Sequence, residues 1–251
     1  MMEWALDKYG FRTVLRVWSF ALFALTAPLL YFVKPRLPVS RTTRPRPFDF
    51  SFLKSSTFGI LQTGNIIESF GYFLPTIYLP TYARSLGAGS LASTLTVILF
   101  NIASVVGCLI MGSIVDKYHV TTCILLSTIG STAGVFLFWG LSASLPLLYL
   151  FCVVYGLFAG SFSSTWPGIM KEVQKKRSRA DPGMVFAWLA AGRGIGNVVS
   201  GPLSETLLKG KPWLGQAALG YGSGYGGVIV FTGATAMLGG VSFVGRRVGW
   251  L

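Results

Sequence analysis

The chain has 251 residues, of which 52% are hydrophobic and only 12% charged, with a formal net charge of +13 and a mean hydropathy of +0.62. Soluble domains carry about 25% charged residues, so this composition cannot cover a water-facing globule. The excess Lys and Arg lie between apolar runs, where they face anionic headgroups, and no water-facing domain exists to carry a nucleic-acid site.

Seven apolar stretches fill the sequence, near Val14–Val33, Thr57–Leu79, Leu91–Val115, Thr121–Leu141, Leu145–Pro167, Met184–Leu207 and Gly226–Val244. A helix of about 20 apolar residues crosses a hydrocarbon core of roughly 30 Å, so the expected fold class is an all-α polytopic membrane protein of about seven transmembrane helices. The first span, within residues 1–33, is too long for a signal-peptide core. Lys34-Pro35-Arg36 follows it instead of a small-residue cleavage site, so it is expected to stay in the mature protein.

Residues 34–56 read as a basic, Pro-rich cytoplasmic linker. Arg44-Pro45-Arg46-Pro47 keeps it extended and solvated, and a partner-binding motif is the alternative. Residues 57–251 hold the remaining six spans. In the second, Asn65, Glu68 and Tyr72 fall at i, i+3 and i+7 on one helix face. Glu68 lies near mid-bilayer, where a charge costs roughly 2.5–3.5 kcal/mol on insertion scales and so faces a cavity or a partner. Two roles stay open for it: binding a proton or substrate, or pairing with a neighbouring helix.

The third span carries Asn101 and the fifth Tyr155 at similar depth, as packing or interhelical hydrogen-bonding residues or as substrate contacts. Gly107 and Cys108 to Gly112, and Gly156 and Gly160, suggest close-packed helix faces. In the sixth span Gly192 and Gly196 form a small-xxx-small ridge for close helix approach, with Gly201 and Pro202 in the same packing role. Arg193 lies near mid-depth, and its guanidinium suits a carboxylate belonging either to a substrate or to Glu68. Asn197 joins the candidate pathway.

Fourteen Lys and Arg fall on one side of the alternating spans and six on the other, with Arg193 inside a span. The positive-inside rule then puts the C-terminus in the cytoplasm and the N-terminus outside. Lys8, Arg12 and Arg16 on the outer side are a mild violation. Cys108, Cys123 and Cys152 lie in apolar spans without disulfide or metal spacing, and His119 is the only histidine. No catalytic constellation, phosphate-cradling loop or metal motif is present, so neither an enzyme nor a cofactor is expected.

Several stretches resemble the major facilitator superfamily, and within it the fungal monocarboxylate transporter-like proteins. Gly112-Ser-Ile-Val-Asp116-Lys117 is similar to the superfamily's G-x-x-x-D-[RK] loop. Gly71-Tyr72-Phe-Leu-Pro75, continuing to Gly87, resembles the seventh helix of monocarboxylate-type transporters, and Gly192-Arg193-Gly194-Ile-Gly196-Asn197 to Pro202 their eleventh. Tyr9-Gly10-Phe11-Arg12 resembles the approach to the sixth.

The resemblance implies a partial major facilitator fold, comprising helix six, the central loop and the C-terminal six-helix half. It further implies alternating access around a substrate held between two halves. Expected partners are a small organic anion, H+, the bilayer, and a second chain supplying the other half. Gly112, Asp116 and Lys117 would form the conformational loop, with Asp116 facing a helix start in that half. The third span lacks the Asp and Arg of animal monocarboxylate carriers, which leaves a neutral or different solute open. The expected location is the plasma or vacuolar membrane. Competing readings are a truncated, non-transporting chain or gene-model fragment, and a seven-helix receptor, which the absence of an extracellular Cys pair disfavours.

Overall fold

The computed structural model describes residues 2–32, 49–211 and 213–249. The linker proposed over 34–56, including Arg44-Pro45-Arg46-Pro47, falls for the most part outside them. Two compact units separate at Phe48. The first contributes α1 (Met2–Leu30), broken at Gly10, whose φ of +74° and ψ of 156° are non-helical. That positive φ is one that glycine adopts without steric cost. Tyr9–Leu30, which includes the break, is long and apolar enough on composition to cross a membrane, with Arg12 and Arg16 near its start.

The second unit is helical in every regular element. It begins with a 3₁₀ turn (Ser51–Lys54), followed by α2 (Ser56–Ser85) and α3 (Ser90–Lys117). Next come α4 (Val120–Ala133), α5 (Leu145–Ala159), α6 (Trp166–Lys176), α7 (Pro182–Leu208), α8 (Gly226–Gly239) and α9 (Val241–Arg247). Each expected span is therefore helical, with three differences in detail.

The fourth passes from α4 into a π-helical segment, Gly134–Trp139. The fifth turns through a 3₁₀ segment at Phe162–Thr165 and restarts as α6 with Pro167 in its first turn, where proline's missing N–H has no helical partner to lose. The seventh is divided at Gly240. A Cβ there would stand 2.9 Å from the Thr128 methyl carbon, so the break lets the chain pass close to α4.

Among the described residues five helical stretches are long and apolar enough to cross a membrane on composition, including α3 and the α8–α9 pair. The expected spans outside that set are α2 and α7, of 30 and 27 residues, which carry Glu68 and Arg193 within them. They pack side by side in parallel. Four hydrogen-bonded contacts join them, and the sequence offset stays between 124 and 126 from Gln62–Trp188 to Tyr78–Ser204. A nearly constant offset means that both helices run in one direction and in register.

Two apolar cores lie at either end of this helix pair. One gathers Phe58 and Leu61 of α2, Ile169 of α6 and Leu189 of α7. The other gathers Leu74, Leu79 and Tyr82 of α2 with Trp139, Phe151 and Tyr155. Between them the α2 surface is polar, with Asn65, Glu68 and Ser69 buried.

Glycines set the helix spacing here. A Cβ on Gly196 would collide with the side chain and main chain of Ser69, and one on Gly192 with Gln62 and Ile66. On the other flank of α2, Gly64 lies against the Gly239 carbonyl and Gly71 against Thr235. Gly194, by contrast, faces open space: a Cβ there would meet nothing within 4 Å. The Gly196→Ala variant should therefore melt earlier in detergent, by an overpacking cost of about 1–3 kcal/mol. Gly194→Ala should be neutral or slightly stabilising. Equal melting temperatures for the two variants would refute the spacing role of Gly196.

Candidate functional site

Glu68 on α2 and Arg193 on α7 meet in the polar layer, with Arg193 Nη1 donating to Glu68 Oε2 at 2.8 Å. Their side chains are 6% and 12% exposed, so water screens the pair little. Both lie roughly 16–18 Å along their helices at 1.5 Å per residue, near the middle of a membrane span. The carbon of the guanidinium also sits 4.1 Å from the centroid of the Tyr72 ring, with Phe73 and Phe162 at 6.0 and 5.9 Å. An aromatic face attracts a cation most strongly where water is excluded. Arg193 is thus held by a carboxylate and by π faces together.

About one and two turns away, two amides brace the same helix pair. Gln62 Nε2 donates to the Trp188 carbonyl at 2.8 Å, and Asn65 Nδ2 donates to the Leu189 carbonyl at 2.9 Å. Asn65 Oδ1 is buried without a hydrogen-bond partner among the described residues. Tyr155 reaches the cluster indirectly. Its hydroxyl donates to the Tyr72 carbonyl at 3.5 Å, and its ring stacks on Phe151 and lies tilted beside Phe100.

Asn65, Glu68, Tyr72 and Arg193 therefore come together, with Tyr155 behind them. Asn101 and Asn197 do not join: both are exposed, and Asn101 Nδ2 donates to Val97 of its own helix at 2.8 Å. Gly201 and Pro202 are also exposed, and a Cβ at Gly201 or Gly112 would meet nothing within 4 Å. Among the described residues, then, no close helix packing is seen at Gly201, Pro202 or Gly112. Gly107 does lie against the Leu157 main chain. Sequence reasoning missed Gln62, Phe73 and Phe162. Only Gln62 carried a signal, an amide inside a membrane helix one turn before Asn65.

A second polar assembly occupies the helix ends around the α3–α4 connection. Asp116 pairs with Lys171 at 3.3 Å, but both are largely exposed, and such pairs contribute about 0–1 kcal/mol. Lys117 is exposed. His119 caps α4: its Nδ1 accepts from the Thr121 backbone N–H at 3.3 Å and lies 2.8 Å from Thr121 Oγ1. Arg246 Nη1 of α9 donates to that same hydroxyl at 3.2 Å. With Nδ1 accepting, the ring proton belongs on Nε2, which lies 3.4 Å from Glu172 Oε2 of α6. Lys175 completes the group at 3.3 Å from Glu172. One neutral imidazole thereby links α4, α6 and α9.

A family model described as Major Facilitator Superfamily matches residues 61–248. Several apolar helices and a match over most of the sequence define an integral multi-pass membrane protein. The chain belongs to the major facilitator superfamily.

It is 27% identical over 95% of its length to an MFS-type transporter of Aspergillus fumigatus, covering 53% of that protein. It is also 27% identical over 96% of its length to the Agnestins efflux protein AgnL12 of Paecilomyces divaricatus, covering 52%. A third relative, the MFS-type transporter pytF of Aspergillus terreus, is 32% identical over 43% of the chain and 37% of its own length. The chain spans about half the length of the first two relatives. Two of these relatives are named MFS-type transporters and one an efflux protein.

Two expectations follow from the geometry. Removing one member of a buried pair strands the other, which typically costs about 3–5 kcal/mol. Arg193→Met should accordingly lower the melting temperature strongly, and Glu68→Leu in the same chain should restore most of it. Additive losses in the double variant would show that the two residues act independently.

The second expectation concerns pH. Burial lowers the His119 pKa below its ordinary 6.5, and Arg246 adds to this while Glu172 opposes it. The folded chain therefore holds fewer protons at this site than the unfolded chain. Its contribution is full above pH 6.5 and is lost as the pH falls through the lower folded value. Acid melts from about pH 7.5 to about 5 should show a downward slope that His119→Ala flattens. An unchanged slope would remove His119 from the account.

Proposed function

We propose that this chain forms the C-terminal half of a transporter for small organic acids, monocarboxylates among them, working by alternating access with the Glu68–Arg193 pair as its charged centre. The observation that carries the reading is the 2.8 Å pair itself, buried at mid-span and flanked by Tyr72. A substrate carboxylate can take Arg193 only if Glu68 gives it up. A proton delivered to Glu68 makes that exchange charge-neutral: one carboxylate leaves the guanidinium as a neutral acid and another replaces it. Substrate and proton would then move together.

The aromatic rings of Tyr72, Phe73 and Phe162 suit an organic anion with an apolar body. The name of the Paecilomyces relative, an efflux protein, supports outward movement of such a solute. The excess of Lys and Arg on one side supports a cytoplasmic C-terminus. We assign the chain to the plasma or vacuolar membrane, with a second six-helix half as partner. In that assembly Asp116 would exchange its exposed Lys171 contact for a helix start in the other half, with Gly112 and Lys117 shaping the loop. Asn101 and Asn197, exposed on α3 and α7, would lie along the substrate path.

The chain reconstituted in vesicles together with a six-helix N-terminal half, with a radiolabelled monocarboxylate and an imposed pH gradient, tests this. Flux should follow the gradient. Arg193→Ala should raise the Michaelis constant about tenfold or more, the scale of a lost charge-assisted hydrogen bond. Glu68→Gln should leave downhill flux while removing its pH dependence. An unaltered Michaelis constant in Arg193→Ala would overturn the anchoring role. No flux from the wild-type chain would favour the non-transporting, truncated form.

A further inference from the structure

Outside the charged centre, a polar cavity of about 440 Å³ opens where the turn between α6 and α7 meets the 3₁₀ turn before α2. Its lining is Asp49, Ser51, Lys176, Arg177, Ser178 and Arg179. Three cations face one carboxylate. Among the described residues no ion pair engages Lys176, Arg177 or Arg179, and all three are exposed.

Asp49 is committed locally. Its Oδ1 accepts from the Ser51 backbone N–H at 2.8 Å. That bond above all holds its carboxyl below the usual carboxylate range, with Arg179 and Arg177 contributing less. It therefore stays ionised and leaves the cavity a surplus of two positive charges. We propose that this cavity is a binding site for the phosphate-bearing headgroup of an anionic phospholipid.

Its position favours a lipid over a soluble anion. The cavity lies at the C-terminal end of α6 and the N-terminal end of α7, and α7 enters the membrane directly from it. Phe186 and Trp188 are 47% and 40% exposed, only about 7–11 Å along α7 from Asp181 at 1.5 Å per residue. Trp prefers the headgroup level of a bilayer. A lipid seated with its phosphate among the three cations has its glycerol and acyl chains level with these rings. Basic clusters beside membrane helices attract anionic headgroups in this manner. Arg in particular grips phosphate oxygens in a bidentate fork, and Arg177 and Arg179 each supply one.

The test uses the purified full chain in neutral detergent, titrated with phosphatidylcholine alone or containing phosphatidylinositol 4-phosphate, and followed by thermal melting. The anionic lipid should raise the melting temperature in a saturable way, and phosphatidylcholine should not. Lys176→Gln/Arg177→Gln/Arg179→Gln should raise the half-saturating lipid fraction by at least about tenfold, given roughly fivefold per cation removed. Lys209→Gln/Lys211→Gln, at the far end of α7, should leave it unchanged. Circular dichroism of the triple variant in phosphatidylcholine should match wild type, so that loss of binding is not loss of fold. An equal shift with phosphatidylcholine, or retention of the shift in the triple variant, would overturn the proposal. So would an equal shift from inorganic phosphate at matched concentration, which would mark a soluble-anion site instead.

Discussion

A guanidinium and a carboxylate held 2.8 Å apart in the middle of a membrane protein constrain almost everything around them. Neither charge is tolerable there alone, so the helices that carry them must stay close and in register. The nearly constant offset between α2 and α7 is the structural expression of that demand. Asn65 and Gln62 hold the register about one and two turns below the pair, and Tyr78 holds it about three turns above, through Ser204. The apolar cores at both ends then seal the polar layer from either side.

Close approach needs small residues, and they occur where the pair requires them. Gly192 and Gly196 bracket Arg193 on α7 and admit the bulk of Gln62, Ile66 and Ser69. Gly239 lies against the Glu68 side chain from α8, and Gly71 admits Thr235. Glu68 is therefore enclosed on two flanks by helices whose spacing is set by absent side chains. In a bilayer, where lipid tails are as apolar as leucine, van der Waals fit and hydrogen bonds hold helices together. The same glycines that permit the ion pair thus supply much of the packing that stabilises it.

These demands also explain what could be read from the sequence. Apolar length marked every span, because a continuous apolar run of about 20 residues satisfies its own backbone in lipid as a helix. The two less apolar spans, α2 and α7, were legible as helices by their length. Glu68 and Arg193 stood out as charges at mid-depth. Asn101 and Asn197 were chosen on depth as well, and depth alone does not bring them to the Glu68–Arg193 pair. The packed face of α3 runs through Phe100, Ala103, Gly107 and Met111, and that of α7 through Leu189, Gly192, Gly196 and Ser200. Each asparagine stands one residue past such a position, about 100° around the helix, and its side chain is too short to return. Arg193 also stands one residue past Gly192. Its side chain is long enough to reach back over Tyr72 to Glu68. Gly201 lies off that packed face for the same angular reason, following Ser200 by one residue. The break at Gly240 and the π segment after α4 had no signal in apolar length, since both depend on how α4 meets α8 and α9.

The pairing changes what Arg193 can do. A lone arginine at mid-depth would attract any carboxylate strongly and release it slowly. An arginine already neutralised by Glu68 instead presents a competition in which the incoming anion gains only the difference between two similar bonds. In the proposed carrier Tyr72 would share in both states, since its ring already faces the guanidinium. Binding would then be weak enough to reverse, and a proton on Glu68 would remove the competitor, linking chemical state and solute occupancy through one shared donor.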